Sequence, residues 1–376
     1  EIDLRITAQE NYWKGEGASS SKLKLADPAK KYLDNGMERP SLANGKTVHF
    51  SGVENSELIL ENTINQGAGA LYFNNNMTVR ASNNNDSWTG AGVVVNGNKT
   101  VNWQVKNPQG DRLSKLGTGT LLVNGKGKNL GDISVGDGTV ILDQKAENDQ
   151  QQAFNQVGIT SGRGTVVLAN DKQVNPNKIY FGFRGGRLDL NGNALSFSYI
   201  QNADDGAKIV NHNRNQTASI TIDKDLAENE LEWVNWSKKP QTVFGIYEYV
   251  NTHRNNRTDY FRLKPNGNPN QYFPVDQNSS NDWEFLSSNK AEAIQKIYSL
   301  ATFSGTLGET DSSRPNGGLN VTFNPSNSNN LLLLNGGTNL NGSLNVEKGN
   351  VVLSGVPVAH AYDYLRNKEV VRENEW

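Results

Sequence analysis

Short apolar runs that each follow a glycine recur along the middle of the chain, separated by polar turns rich in asparagine and glycine. The runs are Gly69-Ala-Leu-Tyr-Phe, Gly92-Val-Val-Val, Gly119-Thr-Leu-Leu-Val, Gly138-Thr-Val-Ile-Leu, Gly164-Thr-Val-Val-Leu and Gly186-Arg-Leu-Asp-Leu. Successive glycines lie 19 to 27 residues apart, which is too short for a strand–helix–strand unit. Three short strands and their turns fill such a period, so the pattern predicts one coil of a β-solenoid per repeat.

The residue types agree with stacked coils. Alternate aliphatic side chains of each strand would point inward, and neighbouring coils would pair their backbones about 4.8 Å apart. Turns such as Asn96-Gly97-Asn98 and Asn191-Gly192-Asn193 suit the left-handed backbone of tight corners. Asn-Gly pairs also favour antiparallel hairpins, the alternative fold, but six glycine-led runs of similar period favour the solenoid. We predict an all-β fold, a right-handed parallel β-helix (β-solenoid) with an inserted small subdomain or long loop.

The repeat divides the chain into five segments. Residues 1–45 lack the pattern and indicate a linker or the edge of a preceding domain, whereas residues 46–222 are expected to form the parallel β-helix. Residues 223–300 form an insertion without glycine-led runs, and an apolar stripe predicts a short helix near 289–300. The β-helix is expected to resume over residues 301–358, and residues 359–376 to form a partly helical exit segment.

Aromatic residues are concentrated in the insertion, which has two interpretations. A small subdomain with few aliphatic residues builds its core from aromatic rings. Alternatively, the rings form an exposed recognition patch, because tryptophan and tyrosine dominate binding hot spots. The candidate partner-binding residues under the second interpretation are Trp233, Trp236, Tyr247, Tyr249 and Trp283.

Composition narrows the functional classes. The formal net charge is -2 with 20% charged residues, so no basic excess predicts a nucleic-acid partner. The chain has no cysteine, which excludes disulfides, thiol catalysis and cysteine-based zinc sites. The longest aliphatic run, Leu331 to Leu334, is far shorter than the ~20 residues that span a bilayer.

Candidate catalytic chemistry is sparse. The four histidines, His49, His212, His253 and His360, lie in four different segments, and the nucleophile turns of serine hydrolases do not occur. A triad assembled from distant residues is the alternative. Val135-Gly-Asp-Gly-Thr is the nearest approach to a calcium-binding β-roll repeat, and it occurs once. We predict no catalytic, cofactor-binding or metal-binding residue in this chain.

Several runs of the chain match a known family closely. These runs include Asp111-Arg-Leu-Ser-Lys-Leu-Gly-Thr-Gly-Thr-Leu, Gly131-Asp-Ile-Ser-Val-Gly-Asp-Gly-Thr-Val-Ile-Leu, Tyr180-Phe-Gly-Phe-Arg-Gly-Gly-Arg-Leu-Asp-Leu and Leu353-Ser-Gly-Val-Pro-Val-Ala-His-Ala. They resemble the passenger β-helix of serine protease autotransporters from about residue 45 to 365. The IgA-specific serine endopeptidases of Gram-negative mucosal pathogens are the nearest group, and the related autotransporter adhesins come next.

The resemblance implies a larger precursor. Such proteins carry a chymotrypsin-like protease domain, a β-helical stem and a C-terminal β-barrel in the outer membrane, and the passenger is secreted or held at the bacterial cell surface. The protease cleaves the hinge of immunoglobulin A1. The resemblance thus implies three partners: the preceding protease domain, the outer-membrane barrel and immunoglobulin A1.

Two functional classes stay open. In the first, this chain is the stem of a protease, displaying the catalytic domain and helping to dock the immunoglobulin. In the second, it is the stem of an adhesin that binds host cells or its own kind. No position here matches the catalytic motifs of the family, so no catalytic residue is carried over and enzymatic activity stays uncertain for this chain.

Overall fold

The computed structural model describes residues 47–223 and 245–353, apart from gaps at 53, 61–62, 91, 199, 203–204, 265–266, 277, 327–330 and 335. It also describes strand backbones within residues 2–39, at 232–235, at 358–363 and at 368–372. The fold is a parallel β-solenoid of about 12 turns, which confirms the predicted fold class. The chain divides into two units, Glu1–Asn175 and Pro176–Trp376.

The described residues of the first unit include twenty short strands. They are β1 Ile2–Ile6, β2 Asn11–Trp13, β3 Glu16–Ala18, β4 Lys22–Leu25, β5 Tyr32–Asp34, β6 Met37–Arg39, β7 Val48–Gly52, β8 Ser56–Leu60, β9 Ile64–Asn65, β10 Ala70–Phe73, β11 Met77–Ala81, β12 Trp88–Thr89, β13 Gly92–Val95, β14 Thr100–Trp103, β15 Arg112–Leu116, β16 Thr120–Val123, β17 Asp132–Val135, β18 Gly138–Leu142, β19 Gln156–Ile159 and β20 Gly164–Leu168.

Two parallel sheets run through this unit, each taking one strand from every turn. One sheet has the order β1-β7-β10-β13-β15-β17-β19, and the other β4-β8-β11-β14-β16-β18-β20. The register places like residues in columns: Leu71 faces Val48 on one side and Val93 on the other. All three are fully buried, so alternate side chains of each strand fill the interior.

Glycines allow neighbouring turns to approach closely. Gly138 has a φ of 69°, and a Cβ there would collide with the carbonyl oxygens of Gly117 and Gly119 in the turn before it. Only glycine adopts this backbone without strain while leaving that space empty. The glycine at the head of this run is therefore a steric requirement of stacking.

One buried column contains a charged residue. Lys115 pairs with Val93 and Val135 in the register of its sheet and is completely buried. Its Nζ donates hydrogen bonds to the carbonyl oxygens of Gly117, at 2.7 Å, and Asp137, at 2.8 Å. Burial lowers the pKa of Lys115 to about 8, and the Asp137 carboxylate opposes that shift. The ammonium group thereby ties the corners of two successive turns together.

The first 45 residues differ from the expectation of a linker. Strand β1 pairs in parallel with β7, and β4 pairs in parallel with β8, so this segment supplies solenoid strands. Between and after them, β2, β3, β5 and β6 form an antiparallel sheet. That excursion interrupts the periodicity and explains why the repeat was predicted to begin only at Val48.

The second unit contains the following elements. They are β21 Ile179–Phe181, β22 Gly186–Asp189, β23 Ala194–Phe197, β24 Gln201–Asn202, β25 Ala207–Val210, β26 Ala218–Ile222, β27 Glu232–Asn235, β28 Gly245–Asn251, β29 Arg257–Leu263, β30 Trp283–Ser287, α1 Lys290–Ser299, β31 Leu300–Phe303, β32 Thr306–Leu307, β33 Leu319–Phe323, β34 Leu331–Leu334, β35 Leu344–Val346, β36 Asn350–Leu353, β37 Val358–Asp363 and β38 Lys368–Arg372, with 3₁₀ turns at Pro176–Lys178 and Thr252–Arg254.

Solenoid pairing in this unit continues across the insertion. Strand β25 pairs in parallel with β32, and β26 pairs in parallel with β33, although about a hundred residues separate the members of each pair. A further parallel sheet, of order β31-β34-β36, follows the insertion. The chain therefore leaves the solenoid after β26 and is again in register with the preceding turn at β32, which pairs with β25.

Helix is scarce in the part of the chain that the structure describes. Helix α1 is its only α-helix, and none of the described segments forms an apolar helix long enough to cross a membrane. The expectation of a partly helical segment at residues 359–376 is wrong, because β37 and β38 pair antiparallel there. Val358, Val370 and Val371 are β-branched residues that favour strands.

The inward assignment can be tested with one substitution. Val166 lies on β20, is fully buried and pairs with Val140 of the turn before. We expect Val166→Asp to lower the free energy of unfolding by more than about 3 kcal/mol, because it buries an unpaired charge. Val167→Asp is the matched control, since Val167 is only partly buried on the same strand. Urea unfolding measures both, and equal midpoints for the two variants would refute the assignment.

Candidate partner-binding subdomain

The insertion forms a small sheet of its own beside the solenoid. Strand β28 pairs in parallel with β27 and antiparallel with β29, and β29 pairs antiparallel with β30. Helix α1 then begins with an N-cap, because Asn289 Oδ1 accepts a hydrogen bond of 3.1 Å from the backbone N–H of Glu292. We call strands β27 to β30 with α1 the inserted subdomain.

Aromatic rings make up the core of the inserted subdomain. Tyr247, Phe261, Phe273 and Trp283 are buried together, and Tyr180 of the solenoid strand β21 belongs to the same cluster. Ring centroids of Tyr247 and Trp283 lie 4.7 Å apart, and those of Phe273 and Trp283 lie 4.5 Å apart. Trp283 Nε1 donates to the carbonyl oxygen of Gln271 at 2.9 Å. The subdomain thus packs onto the solenoid through Tyr180.

This burial decides the role of two of the five candidate binding residues. Tyr247 and Trp283 are each 1% exposed, so they are core residues, and the expectation that they contact a partner is corrected. Tyr249 is half-buried against the same cluster. The structure places Trp233 on β27 without describing its side chain, and Trp236 lies outside the described residues. The subdomain has little aliphatic content, so its large rings are needed for its core.

A different set of residues remains at the surface of the inserted subdomain. Val250, Tyr272 and Val275 are 55%, 80% and 44% exposed. Val250 lies near the turn between β28 and β29, where Asn255 and Asn256 both have positive φ, and Val275 lies beside that turn, because Arg254 Nε donates to its carbonyl oxygen. Sequence reasoning missed this surface. The Asn-Asn pair between two β-prone runs was the available signal for a hairpin turn.

A buried polar network lies where the chain returns to the solenoid. Glu309, which follows β32, has a fully buried side chain, and Arg187 on β22 is 10% exposed. Arg187 donates from Nε to Glu309 Oε2 at 2.9 Å and from Nη2 to Oε1 at 3.1 Å. His212, after β25, lies between two carboxylates: Nε2 is 2.7 Å from Glu309 Oε2, and Nδ1 is 3.4 Å from Asp189 Oδ2.

The electrostatics of this network favour a charged Glu309. Burial alone would raise the pKa of its carboxyl group, but hydrogen bonds from His212, Arg187 and the backbone N–H of Asp311 outweigh it. The net result holds the pKa of Glu309 well below its usual range. The network joins side chains from three adjacent turns, since β22, β25 and β32 are neighbours in one sheet.

This geometry ties strands together and offers no catalytic arrangement. Both ring nitrogens of His212 face carboxylates, so neither is left to activate a nucleophile. His49 stacks on Tyr72, and His253 lies in the 3₁₀ turn of the hairpin. Within the described residues, no group of three or more histidine and acidic side chains is arranged to hold a metal ion.

Comparison with known proteins shows which family this chain resembles. A family model described as the PIC/HAP1/IgA0 second beta-solenoid repeat region matches residues 317–376. An immunoglobulin A1 protease autotransporter of Haemophilus influenzae is 43% identical over 374 residues, covering 92% of this chain and 24% of the relative. An IgA-specific serine endopeptidase autotransporter of Neisseria gonorrhoeae is 40% identical, covering 98% of this chain and 26% of the relative.

The fold comparison agrees. The crystal structure of the Haemophilus influenzae Hap adhesin matches with a TM-score of 0.64 and 38% sequence identity, covering 91% of this chain and 33% of that chain. This chain belongs to the passenger β-solenoids of the IgA protease-like autotransporters. It spans about a quarter of the length of the curated relatives that it matches.

Membership of this autotransporter family confirms the resemblance found in the sequence. Passenger regions of these homologues are exported through the outer membrane and are secreted or displayed at the cell surface. The homologues carry a protease domain and a C-terminal translocator in the same precursor. An uninterrupted solenoid would need neither the inserted subdomain nor the polar network at its return point. Both are additions to the solenoid in this autotransporter passenger.

The polar network predicts a specific pH dependence. Because folding lowers the pKa of Glu309 from its ordinary 4.5, its stabilisation is complete above that value and is lost as pH falls below it. We expect Glu309→Gln to cost roughly 3 kcal/mol at pH 7, since it leaves the buried Arg187 unpaired. The difference in the free energy of unfolding between wild type and variant should become smaller as the pH falls below 4.5.

A control comes from an exposed ion pair nearby. Arg314 and Asp311 lie 3.4 Å apart with side chains 42% and 39% exposed, so Arg314→Ala should cost less than about 1 kcal/mol. Urea unfolding at pH 7 and pH 3.5 measures all three proteins. A Glu309→Gln cost no larger than that of Arg314→Ala would contradict the account of this network.

Proposed function

We propose that this chain is the stem of the secreted passenger of an autotransporter serine protease that cleaves the hinge of immunoglobulin A1. The stem displays a protease domain that precedes it in the precursor, and the inserted subdomain helps to dock the immunoglobulin. The catalytic residues belong to the protease domain. This chain positions the protease domain, provides contact area for the immunoglobulin and takes no part in bond cleavage.

The observation that carries the proposal is the similarity to two proteins named for immunoglobulin A cleavage, at 43% and 40% identity over more than nine-tenths of this chain. The second of these alignments covers 98% of this chain, so it spans the segment of the inserted subdomain. Relatives aligned over nearly the whole chain and named for this substrate support the same substrate here.

The insertion supports docking on physical grounds. A rod that only spaces two domains apart needs no interruption, and long excursions from a regular scaffold are more often functional than neutral. The inserted subdomain is held rigidly, because Tyr180 enters its aromatic core. The Arg187–Glu309 pair fixes the point where the chain returns. A rigidly held projection suits contact with a large folded partner, since little ordering is required on binding.

Replacement of the insertion separates docking from catalysis. In the complete protease passenger, residues 224–299 are replaced with a short Gly/Ser linker, because β26 ends at Ile222 and β31 begins at Leu300. We expect cleavage of whole immunoglobulin A1 to slow by about tenfold, the equivalent of roughly 1.4 kcal/mol of lost binding. Cleavage of a short hinge peptide should be unchanged.

The hinge peptide is the internal control, since it reports an intact protease domain. Equal rates for wild type and variant on both substrates would contradict a docking role. Loss on both substrates would show that the insertion supports the protease domain itself, which also contradicts docking.

The stem of an adhesin is a second candidate function. The observation that favours it is the 38% identity to the Hap adhesin over 91% of this chain. In that case the solenoid surface itself would bind host cells or other copies of the chain. Sedimentation of the purified chain and its binding to host cells together discriminate the two functions, because an adhesin stem would self-associate or bind cells and a protease stem would do neither.

A further inference from the structure

Asparagine followed by glycine recurs at the turns of this chain, and this dipeptide is also chemically reactive. The glycine nitrogen attacks the carbon of the asparagine side-chain amide, since glycine has no Cβ to hinder the approach and its backbone is permissive. The reaction needs a side-chain amide that is free to turn and a glycine N–H that is free to react. Hydrogen bonds to either group slow it, because they must be broken first. The surroundings of each pair therefore decide which asparagine is modified.

The structure describes both residues of five such pairs, and four of them are protected by their surroundings. Asn96 Nδ2 donates to Asn74 Oδ1 at 2.6 Å, which holds the side-chain amide of one pair. In another, the backbone N–H of Gly192 donates to Asn211 Oδ1 at 2.9 Å, so the attacking nitrogen is occupied. Gly125, in a third pair, is buried, and its N–H is shielded from base in the solvent.

The fourth protected pair, Asn316-Gly317, is held at both reacting groups. Asn316 Oδ1 accepts a 3.3 Å hydrogen bond from the backbone N–H of Glu309, and its Nδ2 donates to the carbonyl oxygen of Asn339 at 3.1 Å. The backbone N–H of Gly317 donates to the carbonyl oxygen of Asn211 at 2.7 Å. Gly317 is also buried. Neither the amide nor the attacking nitrogen is available while this part of the chain is folded.

Asn341-Gly342 differs in each of these respects. The pair lies in the turn that precedes β35, and both residues are exposed. Within the described part of the chain, neither the side-chain amide of Asn341 nor the backbone N–H of Gly342 forms a hydrogen bond. The carbonyl oxygen of Asn341 accepts from the backbone N–H of Leu319 at 3.4 Å, which is long for such a bond. Both reacting groups are therefore available.

We propose that Asn341 is a site of spontaneous deamidation that loosens the pairing of β35 with β33. The Gly342 nitrogen forms a bond to Asn341 Cγ, and the bond between Cγ and Nδ2 breaks. The proton of the Gly342 N–H passes through solvent to the leaving nitrogen, which departs as ammonia. Water then opens the cyclic imide at either of its carbonyl groups and leaves aspartate or isoaspartate. This chemistry is independent of the proposed function.

Isoaspartate has a structural effect at this position because pairing with the preceding turn begins directly after it. The carbonyl oxygen of Ser343 accepts from the backbone N–H of Val321 at 2.8 Å, and the backbone N–H of Ser343 donates to Asn320 Oδ1 at 2.9 Å. Leu344 is the register partner of Val321. Isoaspartate routes the main chain through the side-chain carbon of residue 341 and lengthens it by one atom. These contacts then no longer fit together, and the hydrogen bond of the Val321 amide is released.

Peptide mass spectrometry of the aged protein tests the modification site. The folded 376-residue chain is kept at pH 8 and 37 °C, and chymotryptic peptides are sequenced, since cleavage after Leu319 and Phe323 separates the two pairs. We expect Asn341 to deamidate at least about tenfold faster than Asn316, because hydrogen bonds hold both reacting groups of the Asn316 pair. In concentrated urea the two rates should become similar, because the dipeptide is the same. A rate at Asn341 in the folded chain no higher than that at Asn316 would overturn the proposal.

Hydrogen exchange tests the structural effect, with Asn341→Gln as the matched control. Glutamine keeps the amide and the charge of the side chain but forms its cyclic imide much more slowly, because the ring is larger. We expect aged wild type to lose protection at the Val321 amide and equally aged Asn341→Gln to keep it. Full protection at Val321 in modified wild type would overturn the loosening of β35, and so would an equal loss in the aged variant.

Discussion

Parallel backbone pairing between one turn and the next is the constraint on which the rest of this structure depends. Each strand takes its hydrogen bonds from the equivalent strand of the neighbouring turn, so register places like residues above like. The interior column through Val48, Leu71 and Val93 is one result. Stacked rings are another, since Phe50 and Phe73 are register partners whose ring centroids lie 5.2 Å apart. Polar corners follow the same rule, since Asn129 Nδ2 donates to Asn107 Oδ1 at 2.8 Å.

The inserted subdomain is compatible with this constraint because the chain restores pairing as soon as it returns. The strands on either side of the excursion, β25 with β32 and β26 with β33, meet in register. The buried Arg187–Glu309 pair adds little net stability over an apolar alternative, because desolvation of two charges offsets their attraction. Its geometry instead excludes other registers, since a slipped β32 would leave one of these charges buried and unpaired. The inserted subdomain is thereby a projection whose two ends are fixed in the solenoid.

Much of the fold could be predicted from the sequence, because the stacking of turns requires a repeated local pattern of residue types. Glycines at the start of several runs mark a close approach of backbones, as at Gly119 and Gly138, and the alternation of valine and leucine marks an inward face. The first turn could not be predicted, because the antiparallel excursion between β1 and β7 breaks the period. Lys115 also escapes prediction, since its partners are backbone carbonyls that the sequence does not distinguish.

The features of the candidate site were harder to predict, because they depend on packing and pairing between residues that are far apart in the sequence. Tyr247 and Trp283 have the composition of binding residues, and only packing shows that they form a core. Arg187 and Glu309 are 122 residues apart, so no local pattern joins them. The buried Asn251 joins the hairpin turn to a neighbouring loop, since its Nδ2 donates to the carbonyl oxygen of Val275 and its Oδ1 accepts from the backbone N–H of His253. Pairing through the fold, and not periodicity along the chain, creates each of these features.

Hydrogen exchange on the chain without its insertion tests most directly whether turn-on-turn pairing sustains this solenoid. Residues 224–299 are replaced with a Gly/Ser linker, and amide protection is followed at 207–210, 218–222, 306–307 and 319–323, the strands that meet across the gap. If pairing between turns is sufficient, these amides keep protection close to that of the intact chain. Exchange at the rate of exposed loops would contradict this, and would mean that the inserted subdomain holds the solenoid together.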